Sequence, residues 1–103
     1  MNWTGYESNS GRYAAFFAWQ YSEKTGDNSQ AKYFYKRAIS YGEETESQDT
    51  GYHLYALIQL GKLSTSEGDK KIAKAYFDQV KKYAKRKHPA HKEARDFIKK
   101  NKL

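Results

Sequence analysis

The sequence predicts an all-α protein of about five helices, and three observations lead to this prediction. Apolar residues recur at helical spacing, no segment alternates apolar and polar residues as a strand does, and glycine-containing breaks separate the segments. Only 38% of the residues are hydrophobic, yet 17% are aromatic, including ten Tyr and two Trp. Because large rings can fill a core in place of many aliphatic side chains, we expect a folded domain with a very polar surface.

The first two helices are predicted on either side of a Gly-Asp break. After an irregular lead-in over 1–11, a breaker-free run of Ala and rings predicts a helix over about 12–24. We expect this helix to be sandwiched between neighbours, because it is apolar on nearly all sides. Gly26 suits a left-handed helix end, and Asp27 or Asn28 suits the next N-cap. The second helix, over about 29–41, has one apolar stripe: Ala31, Phe34, Tyr35, Ala38 and Ile39.

The other three helices follow from an aliphatic run, a second Gly-Asp break and a proline. The third helix is predicted over about 51–64, in the most aliphatic segment of the chain. The fourth, over about 69–85, follows Gly68-Asp69 and ends before Pro89, since the residue before proline avoids helical geometry. Pro89 fits the first turn of a fifth helix, over 89–100. The stripe of the fourth helix is Ile72, Ala73, Tyr76, Phe77, Val80 and Ala84.

Composition and charge bound the classes of partner. The absence of cysteine excludes a disulfide framework and thiolate metal sites. No run approaches the roughly 20 apolar residues of a membrane span, and the N-terminus lacks the pattern of a signal peptide. We therefore expect a cytoplasmic protein with no membrane partner, and separately we expect a bacterial source. The net charge is +7, but residues 1–50 carry five Lys/Arg and seven Asp/Glu, whereas residues 51–103 carry fourteen and five. An acidic partner is therefore expected at the C-terminal half.

The chain repeats itself at a spacing of 42 residues. Repeats with periods of roughly 20–50 residues are typical of stacked supersecondary units. We therefore predict one domain over 12–103, in which repeat one covers 12–46, repeat two covers 51–87 and the helix over 89–100 serves as a cap. The matched pairs are Gly26/Gly68, Asp27/Asp69, Ala31/Ala73, Tyr35/Phe77 and Ala38/Val80.

This pattern resembles the tetratricopeptide repeat, whose hairpins combine a small residue and a leucine, a Gly-Asp type turn, and then Ala, a large ring and Ala. The resemblance implies an α-solenoid-like, right-handed stack of two antiparallel hairpins, and it says almost nothing about the partner. In the first copy, Trp19 stands where a small residue would let two helices approach closely, and Ser22 stands where the family has tyrosine. The second copy carries the signature at Leu57, Leu60, Gly61, Gly68, Ala73 and Phe77.

In this family the first helices of the hairpins line a concave groove, and the resemblance places such a groove here. Its rings would supply buried area and its lysines would attract an acidic segment of a protein or peptide partner. The alternative is that Tyr13, Phe16, Tyr55 and Ile58 belong to the core of a compact five-helix domain. The predicted groove residues are Tyr13, Phe16, Gln20, Lys24, Tyr55 and Lys62, with Ile58 and Thr65 beside them.

A basic face is predicted on the fourth and fifth helices. Cations spaced along one side of a helix can follow a phosphate backbone, and Tyr76 and Tyr83 could stack on bases. The alternative is a solvated, lysine-rich helix surface. The residues of this basic face are Lys70, Lys74, Lys81, Lys85, Arg86 and Lys92.

No arrangement of residues predicts catalysis, a cofactor or a metal centre. The acidic residues near Glu43 lie in a polar connection, and the Gly-Asp breaks lack the spacing of a phosphate-binding loop. His88 and His91 are three residues apart but flank Pro89 at a helix start, which is an unfavourable place for a metal pair. The predicted function is a non-catalytic interaction module for a protein or peptide, with nucleic-acid binding as the alternative. Pairing with a second copy becomes an option if the rings of the first helix are exposed.

Overall fold

The computed structural model describes residues 14–46 and 48–103, with the backbone alone at residues 22 and 23. These described residues form five helices and no strand. The all-α prediction is confirmed. The predicted lead-in, the predicted start of the first helix and Tyr13 lie outside the described residues. Within them, no helix is both long and apolar enough to cross a bilayer. The helices are α1 (14–20, continued by a π-helical turn at Tyr21–Thr25), α2 (Asn28–Glu44), α3 (Gly51–Ser66), α4 (Lys70–Tyr83) and α5 (Pro89–Asn101).

The two Gly-Asp breaks have the same geometry. Gly26 and Gly68 both adopt left-handed backbone angles, with φ of 68° and 85°, which a residue with a side chain rarely adopts. The Asp27 carboxylate accepts a hydrogen bond from the Gln30 amide at 3.1 Å, and Asp69 accepts one from Ile72 at 3.1 Å. Each aspartate therefore caps the helix that follows it, and of the two residues that suited the cap of α2, Asp27 and Asn28, it is Asp27 that serves.

Helix α3 lies at the centre of the fold and packs against α2, α4 and α5. This explains why its sequence is the most aliphatic, since a helix covered on several sides must bury most of its circumference. Helix α4 also packs against α5. The largest fully buried side chains are Tyr35, Phe77, Leu54, Leu57, Leu60, His53 and Val80.

Phe77 fills the space where α3, α4 and α5 meet. Gly61 on α3 is buried, and a Cβ atom at this position would lie 2.6 Å from the Cζ atom of Phe77. On its other side, the Phe77 ring packs against Phe97 of α5, with 4.8 Å between the ring centroids. The glycine is therefore required for a close approach between helix backbone and ring, which is the role predicted for it.

Helix α1 is not sandwiched between neighbours in the part of the chain that the structure describes, so that prediction was wrong. Its buried residues are Ala14, Ala15 and Ala18, whereas Phe16, Phe17 and Trp19 are exposed. An apolar pattern on all sides of a helix shows that burial of these sides would be favourable. It does not determine whether another element packs against them.

The π-helical turn at Tyr21–Thr25 changes the register of α1. A π turn closes its hydrogen bond at i+5 instead of i+4 and so accommodates one additional residue. The residues of α1 that precede this turn are therefore shifted by one position when α1 is aligned with α3. Trp19 is 39% exposed, whereas Ala18 is fully buried, as Gly61 is buried in α3. The expectation that Trp19 occupies the small-residue position was therefore wrong.

Helix α4 ends two residues earlier than predicted, at Tyr83. Ala84 has extended backbone angles and is buried, and the chain uses the segment over 84–88 to reverse before Pro89. Lys85 and Arg86 consequently lie in this connection and not on the helix. His88 is extended, with ψ of 136°, as expected for the residue before proline. Ile72, assigned to the apolar stripe, is 48% exposed, because it lies at the edge of the stripe in the first turn.

Candidate functional site

A cavity of about 430 Å³ lies between α3 and α5. Phe97 and Pro89 provide apolar surface, and three lysines and two carboxylates surround it. The cavity is widely open to solvent, so it is a surface groove and not an enclosed ligand pocket. The lining residues are Lys62, Pro89, Lys92, Glu93, Asp96, Phe97 and Lys100.

An ion pair joins the two walls of this cavity. The Lys62 Nζ atom donates to the Glu93 Oε1 atom at 3.0 Å, and both side chains are partly exposed. A pair of this kind stabilises a fold by at most about 1 kcal/mol, so a ligand carboxylate can compete with Glu93 for the lysine. No described carboxylate forms an ion pair with Lys92 or Lys100. The cavity therefore presents cationic groups beside an apolar floor.

A second cavity, of about 370 Å³, lies along the last turns of α1. It contains Gln20 and Lys24 of the predicted groove, together with Phe17, Tyr21 and Thr25. Phe16 is exposed on the same helix. The structure therefore places Gln20 and Lys24 at one cavity and Lys62 at the other, whereas Phe16 lines neither of the two.

Tyr55 and Ile58 of the predicted groove belong to the core. Tyr55 is half-buried, with its ring edge-on to Tyr35 at 5.8 Å and the two hydroxyl oxygens 3.3 Å apart. Ile58 is buried in the same cluster. Tyr55 and Ile58 are therefore core residues, as the alternative interpretation of the groove stated. Gln20, Lys24 and Lys62, in contrast, do line cavities.

No protein-family model, curated protein or solved structure matches this chain.

The sequence did not predict any groove residue on α5, although α5 lines most of the larger cavity. The 42-residue spacing contained the signal, because Tyr55 and Ile58 correspond to Phe97 and Lys100 at that spacing. The correspondence extends to contacts, since the Tyr35–Tyr55 ring pair becomes Phe77–Phe97 after the same shift. Helix α5 therefore makes the same ring contact with α4 that α3 makes with α2.

All six residues of the basic face are exposed. Lys70, Lys74 and Lys81 lie on one side of α4, while Lys85 and Arg86 follow its end and Lys92 lies on α5. Among the described residues, Lys81 has a carboxylate nearby, that of Asp78, at 3.9 Å. The six cations therefore form a solvated surface that a polyanion can reach.

The two tyrosines of this region are not available for base stacking. Tyr76 is half-buried against the core, and burial raises the pKa of its hydroxyl above the ordinary value, although Lys32 opposes this effect. Tyr83 is also half-buried and meets His53 edge-on, with the ring centroids 6.2 Å apart. The basic face can therefore contact phosphates, but these rings serve the core.

His53 is fully buried on α3, and neither of its ring nitrogens has a hydrogen-bond partner among the residues that the structure describes. Gly42 of α2 lies against the imidazole, where a Cβ atom would collide with Nδ1. Desolvation by burial lowers the pKa of His53 below its ordinary value of 6.5, so the neutral ring is favoured. His53 is therefore a structural residue.

We expect acid to destabilise the fold through His53. Below about pH 6.5, His53 of the unfolded chain binds a proton, whereas His53 of the folded chain binds one only at lower pH. The free energy of unfolding therefore falls as pH falls. One such proton lowers it by up to about 1.4 kcal/mol per pH unit. Urea denaturation at several pH values should show this slope in the wild type and a shallower one in His53→Leu. Equal slopes in the two proteins would contradict this assignment.

His88, the first of the two histidines at the start of α5, serves the helix. The His88 Nδ1 atom accepts a hydrogen bond from the Ala90 amide at 3.0 Å and so caps α5. His91 is half-buried one turn further on. Among the described residues, no cluster of three or more His, Asp or Glu side chains is arranged to hold a metal ion.

Proposed function

We propose that this protein is a non-catalytic helical-repeat module that binds a peptide segment of a partner protein at the cavity between α3 and α5. The observation that carries the proposal is the apolar floor of Phe97 beside three lysines, two of which have no ion pair with a described carboxylate. The ligand that fits this surface combines an apolar side chain with neighbouring acidic groups. The ring supplies buried area, and the lysines raise the association rate for acidic segments.

Repetition within the chain supports the proposal of a tetratricopeptide-like stack. The left-handed glycines, the capping aspartates and the ring pairs of the two copies all recur at 42 residues. In such a stack, α1, α3 and α5 are equivalent first helices. The α3–α5 cavity then lies on the surface that the resemblance assigns to peptide recognition.

A fluorescently labelled peptide that alternates Asp/Glu with Leu/Phe serves as the probe. We expect it to bind the wild-type protein more tightly than a peptide in which Lys replaces the acidic residues. The double substitution Lys62→Gln and Lys100→Gln should weaken binding about tenfold or more, which corresponds to about 1.4 kcal/mol. Fluorescence anisotropy measures both comparisons.

The matched control is the pair Lys71→Gln and Lys82→Gln, which removes the same charge from exposed positions on α4. If the two double variants weaken binding equally, the peptide is attracted by overall charge and the cavity is not its site. Urea denaturation of both variants confirms that any difference in binding is not caused by unfolding.

The alternative function is nucleic-acid binding through the basic face, and the exposure of its six cations supports it. Each phosphate contact adds to the dependence of affinity on salt, so binding of a nonspecific duplex should weaken steeply as salt increases. Replacing Lys70, Lys74 and Lys81 together with Gln should abolish this binding and leave the peptide affinity largely intact. No binding of duplex at low salt would contradict this alternative.

A further inference from the structure

The first hairpin carries five rings that face solvent, and we call them the aromatic face. They are exposed by 36–52% and form one continuous patch: Phe16, Phe17, Trp19 and Tyr21 of α1 and Tyr33 of α2. The Phe16 ring lies 6.1 Å from both Phe17 and Trp19. Phe34, which is half-buried, joins the helices by stacking on Tyr21 at 5.6 Å and meeting Tyr33 edge-on at 5.1 Å. Contiguous exposed apolar surface of this kind marks an interaction site.

We propose that the aromatic face binds the aromatic face of a second copy of this chain, giving a homodimer with twofold symmetry. A twofold interface places the same patch on both sides, so the patch must complement itself. Rings meet this requirement because offset and edge-to-face pairs form between identical groups. The aromatic face is separate from the α3–α5 cavity, so the dimer and the peptide site can be tested independently.

The distribution of charge indicates a second copy as the occupant. Two chains of net charge +7 repel one another, and residues 51–103 account for all of the excess, with a net charge of +9. Residues 1–50 have a net charge of −2, so the first hairpin is the part of the surface through which two copies can meet with least repulsion. A strongly charged partner would find little countercharge there.

Arg37, a cation that contacts Tyr33, is already engaged with rings of its own helix. Its guanidinium donates to the hydroxyls of Tyr41 at 2.6 Å and Tyr33 at 3.2 Å and lies over both rings. These contacts, the Tyr41 hydrogen bond first, raise the pKa of Arg37 above its ordinary value. The aromatic face therefore presents ring surface beside a cation that its own tyrosines hold in place.

The area of the aromatic face indicates a weak dimer. A large aromatic side chain buries about 150–250 Å² when covered, so five rings exposed by 36–52% offer roughly 350–550 Å² per copy. Standard protein interfaces bury about 800 Å² per partner, and weaker ones about 600 Å². The rings supply more than half of what a weak interface needs, and flanking residues of α1 and α2 supply the rest. We expect a dissociation constant on the order of 10 μM.

Sedimentation equilibrium of the full chain from about 1 to about 300 μM tests the proposal, because a dimer makes the average mass depend on concentration. We expect the mass to rise from one chain to two. Raising salt from about 0.15 to about 0.5 M should tighten the dimer, since salt screens the repulsion between the two chains. The double substitution Trp19→Lys and Tyr33→Lys should weaken dimerisation at least tenfold without changing the circular dichroism of the helices.

The control is Ile72→Lys, which places one new positive charge, against two in the double variant, on an exposed apolar residue of α4 outside the aromatic face. This variant should dimerise with nearly the wild-type affinity. A wild-type protein that stays monomeric at every concentration, as it would if another part of the same chain covered the rings, overturns the proposal. An equal loss of dimer in Ile72→Lys, or a dimer that salt dissociates, overturns it as well.

Discussion

Replacing Phe77 with alanine should lower the free energy of unfolding by about 3–5 kcal/mol. The ring is fully buried and contacts both the Gly61 backbone region of α3 and Phe97 of α5. Its removal leaves a cavity at the point where three helices meet, and those helices cannot all move inward to fill it. Urea denaturation followed by circular dichroism measures the change. Since domains of this size are marginally stable, we expect the variant to be largely unfolded near 37 °C.

The matched control for this prediction is Ile72→Ala on the same helix. Ile72 is 48% exposed, so its truncation should change the free energy of unfolding by no more than about 0.5 kcal/mol. A loss for Phe77→Ala below about 1 kcal/mol would mean that the three helices do not depend on this ring for their packing.

The substitution Gly61→Ala should destabilise the fold by about 1–3 kcal/mol, although alanine is the better helix former. The new Cβ atom would lie 2.6 Å from the Phe77 ring, which is too close for two carbon atoms that are not bonded to each other. A buried ring cannot rotate out of the way without displacing Phe97. Urea denaturation should therefore show a loss of stability where helix propensity alone predicts a gain of about 1 kcal/mol.

Two further variants identify the cause of this loss. In a Phe77→Leu background, the smaller side chain leaves space for the new methyl group, so Gly61→Ala should be less destabilising than in the wild type. Gly51→Ala, in the first turn of α3, has nothing within 4 Å of its new Cβ atom and should be neutral or stabilising. Equal effects of Gly61→Ala in both backgrounds would rule out the collision with Phe77.

The helices and the breaks before α2 and α4 could be predicted because their signals are local. Gly26 and Gly68 occur where the backbone must be left-handed, and the aspartate after each one caps the next helix. Both effects depend on residues within one turn of the break, so they can be read directly from the sequence. The buried positions of α2 and α4 followed equally well from their apolar spacing, apart from Ile72 at the edge of its stripe.

The features that could not be predicted depend on which elements cover one another. The apolar circumference of α1 resembles that of α3, but α3 packs against three helices while Phe16, Phe17 and Trp19 of α1 remain exposed. The cavity at Lys62 likewise depends on how α5 docks against α3, which brings Phe97 and Glu93 to it. Only the 42-residue spacing carries information about this docking, because it makes Phe97 the counterpart of Tyr55.

The π-helical turn at Tyr21–Thr25 has a consequence for how the two halves of the chain are aligned. It acts as a one-residue insertion relative to α3, so a faithful alignment of the copies requires a gap between Ala18 and Gly26. With that gap, Ala18 aligns with Gly61 and Tyr21 with Ser64, and the first copy gains both the small residue and the tyrosine that it lacks in an ungapped alignment. Ungapped self-comparison therefore pairs the exposed Trp19 with the buried Gly61, whereas the gapped alignment pairs two buried small residues, Ala18 and Gly61.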